Sequence, residues 1–274
     1  MTATIATKEA VISRAEETIP APVGADLAPI SLPELVAAGE LLTRVDRKYV
    51  VPLATIQRLA DRLGPDSRIL QIDGARTFGY RSIYWDTAEL ASFTAAGQGR
   101  RRRFKVRSRA YVDTGATFLE VKTRGPRGTT VKERIEHPEI LSARLDVEAS
   151  DFVSDRLAAH GVEGIDARAL QATLITRYRR MTIATVTAEG SLTRATIDTD
   201  LRFRVPAGAA LDLPGLAIIE TKGTSTPSAV DRALWALGHR PVRVSKYGTG
   251  LRALRPELPD LKWHRTLHQH FLTA

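Results

Sequence analysis

The chain has 274 residues, with 40 Lys plus Arg against 31 Asp plus Glu and a net charge of +9. That balance selects anionic partners such as nucleic acid, a membrane surface or a phosphorylated small molecule. The absence of cysteine excludes disulfides, thiolate metal sites and a cysteine nucleophile. No apolar run approaches the roughly 18 residues that span a bilayer, and residues 1–10 lack the basic-then-apolar order of a signal peptide, so a cytoplasmic protein is expected.

Residues 1–30, rich in Ala, Thr, Glu and Pro without a sustained period, are expected to form a mobile leader. Residues 31–274 show no composition break or repeat and are expected to form one domain. Ser31 and Glu34 make a capping box before Leu35, Val36 and Leu41, which predicts a short helix. A strand around Thr43–Val51 ends at Pro52. Leu53, Ile56, Leu59, Ala60 and Leu63 then recur at helical spacing up to Gly64. A strand is predicted over Phe78–Trp85 and a short helix over Thr87–Ala96, with a flexible turn at Gly97 and Gly99. The basic strand Arg101–Val112 follows. Strands Ala116–Arg124 and Thr129–His137 are joined by Gly125-Pro126-Arg127-Gly128, good hairpin-turn chemistry. Residues 139–160 read as helical, and Ala172–Thr187 and Leu192–Val205 as long strands. Leu216–Lys222 is a further strand, and Ser225–Ser228 opens a helix through Leu237. A short strand near Val242 and a C-terminal helix around Asp260–Leu272 complete the chain. About eight to ten strands, mostly in hairpins with irregularly placed helices, predict an antiparallel α+β fold.

Charge alternates along several of these strands. Lys105, Arg107 and Arg109 are separated by single residues, so they share one face of a strand. The spacing recurs at Arg44, Asp46 and Lys48; at Glu120, Lys122 and Arg124; at Lys132, Arg134 and Glu136; and at Glu220 and Lys222. A solvated polar face explains any one strand, but solvent faces normally mix the two signs. Like charges on neighbouring strands destabilise each other by up to about 1 kcal/mol per pair, a cost that an enclosed anion offsets. A closed antiparallel barrel with a cationic lumen supplies that geometry, because alternate residues of every strand point inward.

Each Glu-x-Lys pair is either a structural ion pair or a carboxylate able to hold Mg²⁺ together with substrate phosphates. Asp198 and Asp200 are further candidates. There is no Walker A or dinucleotide-binding glycine motif and no Gly-x-Ser-x-Gly elbow. His264, His268 and His270 read as a solvated helix face. The run Arg100–Arg103 lacks the stacking aromatics of a nucleic-acid site, and no nucleic-acid partner is expected.

Read in order, eight segments resemble the VTC domain, the polyphosphate polymerase domain of the vacuolar transporter chaperone family, in the triphosphate tunnel (CYTH-like) superfamily. They are Arg44-Val45-Asp46-Arg47-Lys48-Tyr49, Tyr84-Trp85-Asp86-Thr87, Lys105 to Tyr111, Phe118 to Lys122, Arg177 to Arg180, Arg194 to Asp200, Ile219 to Lys222 and Ser245-Lys246-Tyr247. The resemblance runs from about residue 40 to 252. It implies a closed antiparallel barrel of about eight strands, in which ATP donates its γ-phosphate to a growing polyphosphate chain with Mn²⁺ or Mg²⁺.

By the same resemblance, Arg44 and Lys48 are the basic pair of the first strand, and Arg107 and Arg109 the pair that grips the triphosphate. Lys122, Tyr178, Arg180, Arg194, Lys222, Ser245 and Lys246 continue the phosphate-binding and catalytic set, to which the charge alternation adds Lys105, Lys132 and Arg134. Glu220 is the metal ligand, with Glu120 a second candidate, and Arg100–Arg103 are read as tunnel-mouth charges. Hydrolytic members of the superfamily carry Glu-x-Glu-x-Lys on the first strand. Here Arg44 replaces the first Glu, which favours the polymerase over a triphosphatase. Eukaryotic relatives carry membrane and phosphate-sensing domains not found in this sequence, so a separate membrane partner at the inner membrane face would be needed for coupling.

Overall fold

The computed structural model describes residues 24–37, 45–125, 129–140, 142–187, 190, 192–206 and 208–273. Arg44, most of the expected leader and the tip of the Gly125–Gly128 turn lie outside these residues. The strands are β1 (Ala28–Ile30), β2 (Val45–Pro52), β3 (Ser67–Leu70), β4 (Thr77–Asp86), β5 (Phe104–Tyr111), β6 (Thr117–Arg124), β7 (Thr130–Glu136), β8 (Gln171–Val186), β9 (Leu192–Arg204), β10 (Ala210–Leu213) and β11 (Leu216–Gly223). The helices are α1 (Leu32–Ala37), α2 (Thr55–Ala60), α3 (Ala91–Gly97), α4 (Val147–Ala159), α5 (Ala229–Ala236) and α6 (Lys246–Leu254), followed by a helical segment over residues 261–271.

All the main strands pair antiparallel in the order β2-β11-β9-β8-β4-β5-β6-β7. This is the predicted α+β class. A closed barrel does not follow, because among the described residues no strand pairing joins β2 to β7. The two ends of the order nevertheless face each other: Asp46 and Lys48 of β2 line the same cavity as Lys122 of β6 and Thr130 of β7. The sheet is therefore strongly rolled, with an open seam. Residues 241–245 run along that seam, and Val242 donates its backbone N–H to the Lys48 carbonyl at 2.7 Å. The strand expected near Val242 is this single contact and not a ladder.

Packing on the two faces explains the roll. On the convex side α4 covers Trp85, Val106, Leu119 and Val121 through Ala149, Val153 and Leu157, while α2 and α5 cover Tyr49, Val51, Ile197 and Ile219. Asp231 pins α5 down: its Oδ1 accepts from Tyr49 and Thr221, both at 2.7 Å, and its other oxygen completes a capping box with Ser228. On the concave side, α6 and residues 261–271 place Tyr247, Leu251, Trp263, Leu267 and Phe271 against Val50, Leu174, Phe203 and Ile218. Helices thus fill the apolar part of the rolled sheet. No helix among the described residues is long and apolar enough to cross a membrane.

Several boundaries differ from expectation. Residues 28–30, at the end of the expected leader, form β1, which pairs parallel with β3 and buries Ile30. The predicted helix over 139–160 begins only at Val147, where Asp146 caps it by accepting from Ala149 N–H at 2.9 Å. Gly97 is not a flexible turn but the last residue of α3, where an added Cβ would lie 2.1 Å from Leu261 Cδ1. The Ser245-Lys246-Tyr247-Gly248 segment opens α6, with Ser245 as its cap. A Cβ on Gly248 would lie 2.2 Å from the buried Trp263 ring, so Gly248→Ala should destabilise the fold by about 1–3 kcal/mol through overpacking. A denaturant midpoint unchanged from wild type would refute that.

Candidate active site

Residues opposite one another in adjacent strands share a face, so the pairing register assembles the site directly. Lys48 lies opposite Glu220, and Glu220 opposite Thr196. Lys222 lies opposite Arg194, and Arg180 opposite Asp198. Tyr178 faces Tyr80, Ser82 faces Arg109, and Tyr84 faces Arg107. Further round, Lys105 lies opposite Lys122 and Arg107 opposite Glu120, with Lys132 and Arg134 beyond them on β7. Every predicted site residue on a described strand therefore belongs to one pleat of one sheet, the concave face.

The cap of α6 adds two more. Lys246 forms an ion pair with Asp198 and lies 4.6 Å from the Tyr178 ring centre. Ser245 Oγ accepts from Lys105 Nζ at 3.2 Å. The free mouth of this face is a cavity of about 400 Å³ whose walls include Asp46, Lys48, Lys105, Lys122, Arg124 and Ser245. A second cavity of about 500 Å³ is lined by Arg81, Arg177, Arg179 and Arg202 together with Tyr80 and Tyr178 of the concave face.

Carboxylates pre-organise the cations. Arg107 donates Nε to Glu120 Oε2 at 2.7 Å and places Nη2 2.5 Å from the same oxygen. These contacts engage Nε and Nη2, two of the three guanidinium nitrogens. Arg180 grips Asp198 through both oxygens, at 2.6 and 2.8 Å. Arg109 donates to the Tyr178 hydroxyl at 3.0 Å and lies 5.4 Å from the Tyr80 ring centre. Lys48 Nζ is 2.6 Å and Lys222 Nζ 3.9 Å from Glu220 Oε1.

This crowding moves the titrations. Burial brings the Lys105 ammonium down to about 8, with Arg107 and Lys48 adding to it against the opposing pull of Tyr84. Lys222 also falls to about 8, through burial and then Arg194, against Glu220. The Arg107 guanidinium, with burial behind it, drives Lys122 well below its ordinary value. Burial alone would raise Asp198, but Arg180 and Lys246 hold it at about 2. In the same way Lys48 and Lys222 overcome burial and keep Glu220 ionised well below the usual carboxylate range.

The two metal candidates part company here. Glu120 is 1% exposed and enclosed by Arg107 and by Lys132 at 3.6 Å, so it serves as a counter-ion for the arginines. Its sequence neighbour Lys122 makes no ion pair with it. Glu220 is ionised, keeps 22% of its side chain exposed and has Asp46 two residues from its partner Lys48 in the facing strand. A hard divalent ion held by one or two carboxylates and by substrate phosphates fits that donor set.

Among the remaining predictions, Lys132 and Arg134 sit on the exposed edge strand β7, where Arg134 stacks 4.4 Å from the Phe118 ring centre. Of the Arg100–Arg103 run, Arg103 lines the mouth while Arg102 pairs with Glu163 outside it. Sequence reasoning missed Tyr80, Ser82, Tyr84 and Lys262. The first three alternate on β4 as the cations do on β5, a signal hidden by their lack of charge. Asp86, within the Tyr84-Trp85-Asp86-Thr87 segment, is structural: it accepts from the backbone N–H groups of Thr87, Ser92 and Phe93 and from the Tyr247 hydroxyl.

No curated protein matches the chain. Among solved structures, one similar protein is a candidate adenylyl cyclase from Hippeastrum described as having a dominant triphosphatase activity. It is 17% identical, covers 80% of this chain and 99% of its own, and has a TM-score of 0.40. A candidate adenylate cyclase from Vibrio parahaemolyticus is 13% identical over 78% of this chain and 86% of its own, with a TM-score of 0.35. A conserved hypothetical protein from Pyrococcus furiosus is 12% identical over 72% and 88%, with a TM-score of 0.35. The VTC domain family matches residues 43–255, well over half the chain and the span that carries the whole cationic face. The chain belongs to the VTC domain family.

Proposed function

We propose that this protein transfers the γ-phosphate of ATP to a growing inorganic polyphosphate chain lying along the concave face. The observation that carries the reading is the convergence of Lys48, Lys105, Arg107, Arg109, Arg180, Lys222 and Lys246 from four strands and the start of one helix onto a single face. Among the described residues no histidine lies on that face, and the hydroxyl beside Lys105, Ser245 Oγ, is engaged as the cap of α6, accepting from Lys105 Nζ and from Gly248 N–H. No side-chain nucleophile is required. The attacking group is a terminal phosphate oxygen that is already ionised near neutral pH, and the departing group is ADP. A new P–O–P bond forms on the chain as the β–γ bridge of ATP breaks.

Catalysis then rests on positioning and on neutralising charge. Arg107 and Arg109 offer planar donors to equatorial oxygens, while Lys48, Lys222 and Lys246 act as point charges. Glu220 would hold Mn²⁺ or Mg²⁺, which supplies neutralisation of the β- and γ-phosphates. A membrane-protein partner at the inner membrane face belongs to the same proposal.

The test is incubation of purified protein with ATP and Mn²⁺ or Mg²⁺, followed by gel analysis of chains and assay of free phosphate. ADP with long chains is the expected outcome. Free phosphate without chains would make it a triphosphatase, and intact ATP with retained polyphosphate a binding module.

A pH dependence follows from the two depressed lysines. A bound phosphate restores the ammonium form, so binding takes up protons once Lys105 and Lys222 titrate near 8. Triphosphate affinity should therefore weaken from pH 7 to pH 9, by about tenfold per lysine. Stability of the ligand-free protein moves the other way. Between about 8 and 10.5 the unfolded chain holds more protons on these lysines, so their contribution to stability rises with pH. Calorimetric titration with a non-hydrolysable triphosphate at the two pH values checks the first part, and a flat profile would remove both lysines from phosphate contact.

A further inference from the structure

The C-terminal helical segment carries chemistry that phosphoryl transfer does not use. Asp260 precedes it, and His264 and His268 stand one turn apart on it with ring centres 4.4 Å from each other. His264 Nδ1 lies 2.6 Å and His268 Nε2 2.9 Å from the same oxygen, Asp260 Oδ2. Three donor atoms from three side chains thus converge within 4.8 Å of one another. Asp260 is held from behind by Arg252 of α6, whose Nε lies 2.7 Å from Oδ1. That contact is a close ion pair lacking hydrogen-bond geometry, and Oδ1 is otherwise buried without a partner. The helix is also irregular at this point. Residues 267–271 form a π-turn, closed by Leu272 N–H to the Leu267 carbonyl at 2.9 Å. Such turns recur at functional sites because they offset side chains from the regular α spacing.

We infer that Asp260, His264 and His268 form a binding site for a borderline transition-metal dication of the Zn²⁺ type, separate from the Glu220 site. The donor chemistry separates the two. Two imidazoles and one carboxylate suit Zn²⁺, Ni²⁺ or Cu²⁺, whereas carboxylate with phosphate oxygen suits Mg²⁺ or Mn²⁺. Bonds of about 2.0–2.1 Å in a tetrahedron place donor atoms roughly 3.3 Å apart. The observed 2.6 and 2.9 Å contacts therefore need to open by about 0.4–0.7 Å to reach that spacing when the metal replaces the shared protons, and water takes the fourth position. Both rings are largely exposed, at 69% and 52%, so the ion has an open path. Arg252 orients the carboxylate, the usual role of an outer partner, while its charge tempers affinity. The ion would clip residues 261–271 to the segment that follows α6, and with them Lys262 and Trp263 at the lumen mouth.

Titration of the full chain with Co²⁺ and with Zn²⁺ tests this. One equivalent of Co²⁺ should give the visible absorption of a four-coordinate ion, bleached by Zn²⁺, and Zn²⁺ should raise the melting temperature. In the double variant His264→Ala/His268→Ala the absorption and the Zn²⁺-dependent stabilisation should vanish, with affinity lower by at least about a hundredfold. His270→Ala, outside the cluster, should bind as wild type does. Circular dichroism on the same samples verifies that each variant is folded. Equal Zn²⁺ affinity in wild type and the double variant, or no binding by wild type, would overturn the assignment.

Discussion

Arg107→Ala is expected to lose nucleotide binding and to unfold at a markedly lower temperature. The guanidinium is the principal partner of Glu120, a carboxylate that is 1% exposed. Removing one member of a buried ion pair costs about 3–5 kcal/mol, because the surviving charge is left uncompensated. For a chain of this size each kcal/mol lowers the melting temperature by about 2–4 °C, so a drop on the order of 10 °C should appear by calorimetry. The residual pull of Lys132 at 3.6 Å keeps the loss from being larger. Binding and stability separate in the double variant Arg107→Ala/Glu120→Ala, which removes both charges together. Its melting temperature should recover most of the loss while nucleotide affinity stays poor. If the double variant binds ATP as wild type does, Arg107 is a structural cation and not a phosphate clamp.

Glu220→Gln should behave in the opposite way. The substitution keeps the shape, leaves Lys48 and Lys222 in place and removes a negative charge from an anion site, so nucleotide affinity should change little or improve. Turnover should collapse. Lewis-acid neutralisation of a transferring phosphoryl group contributes several kcal/mol, which makes the expected fall in kcat on the order of a hundredfold or more. Single-turnover rates measured at saturating ATP over a Mn²⁺ series are the relevant data. Wild-type kcat in this variant would take the metal role away from Glu220, while weakened ATP affinity with intact kcat would make it a positioning group for Lys48.

Period-2 alternation made most of the candidate site's cationic face legible. Lys105, Arg107 and Arg109 could be put on one face from spacing alone, and the register added Glu220, Lys222 and Lys48 without exception. Alternation says nothing about what stands across a hairpin. Glu120 was therefore grouped with its neighbour Lys122, whereas its partners are Arg107 in the adjoining strand and Lys132 in the next. Asp198 stood only as a further candidate carboxylate. Its burial against Arg180 and Lys246 depends on residues 18 and 48 positions away. The helix α6 was overlooked because two glycines, Gly248 and Gly250, weaken its propensity. Both are needed for close approach, to Trp263 and to Phe203. Closure could not be read at all. Whether the last strand meets the first is decided by how helices pack inside the roll, and here α6 and residues 241–245 occupy that space.

The carboxylates threaded through the lining have a consequence under the proposed polymerase reading. A wall of bare cations would hold a phosphate polymer too firmly for it to advance. Glu120, Asp198 and Glu220, already paired with Arg107, Arg180, Lys246 and Lys48, would act as tethered stand-ins for phosphate, taking back a guanidinium or ammonium whenever a link of the polymer steps away. Successive positions would thereby be levelled in free energy, and a product chain would slide by exchange of partners instead of by wholesale release.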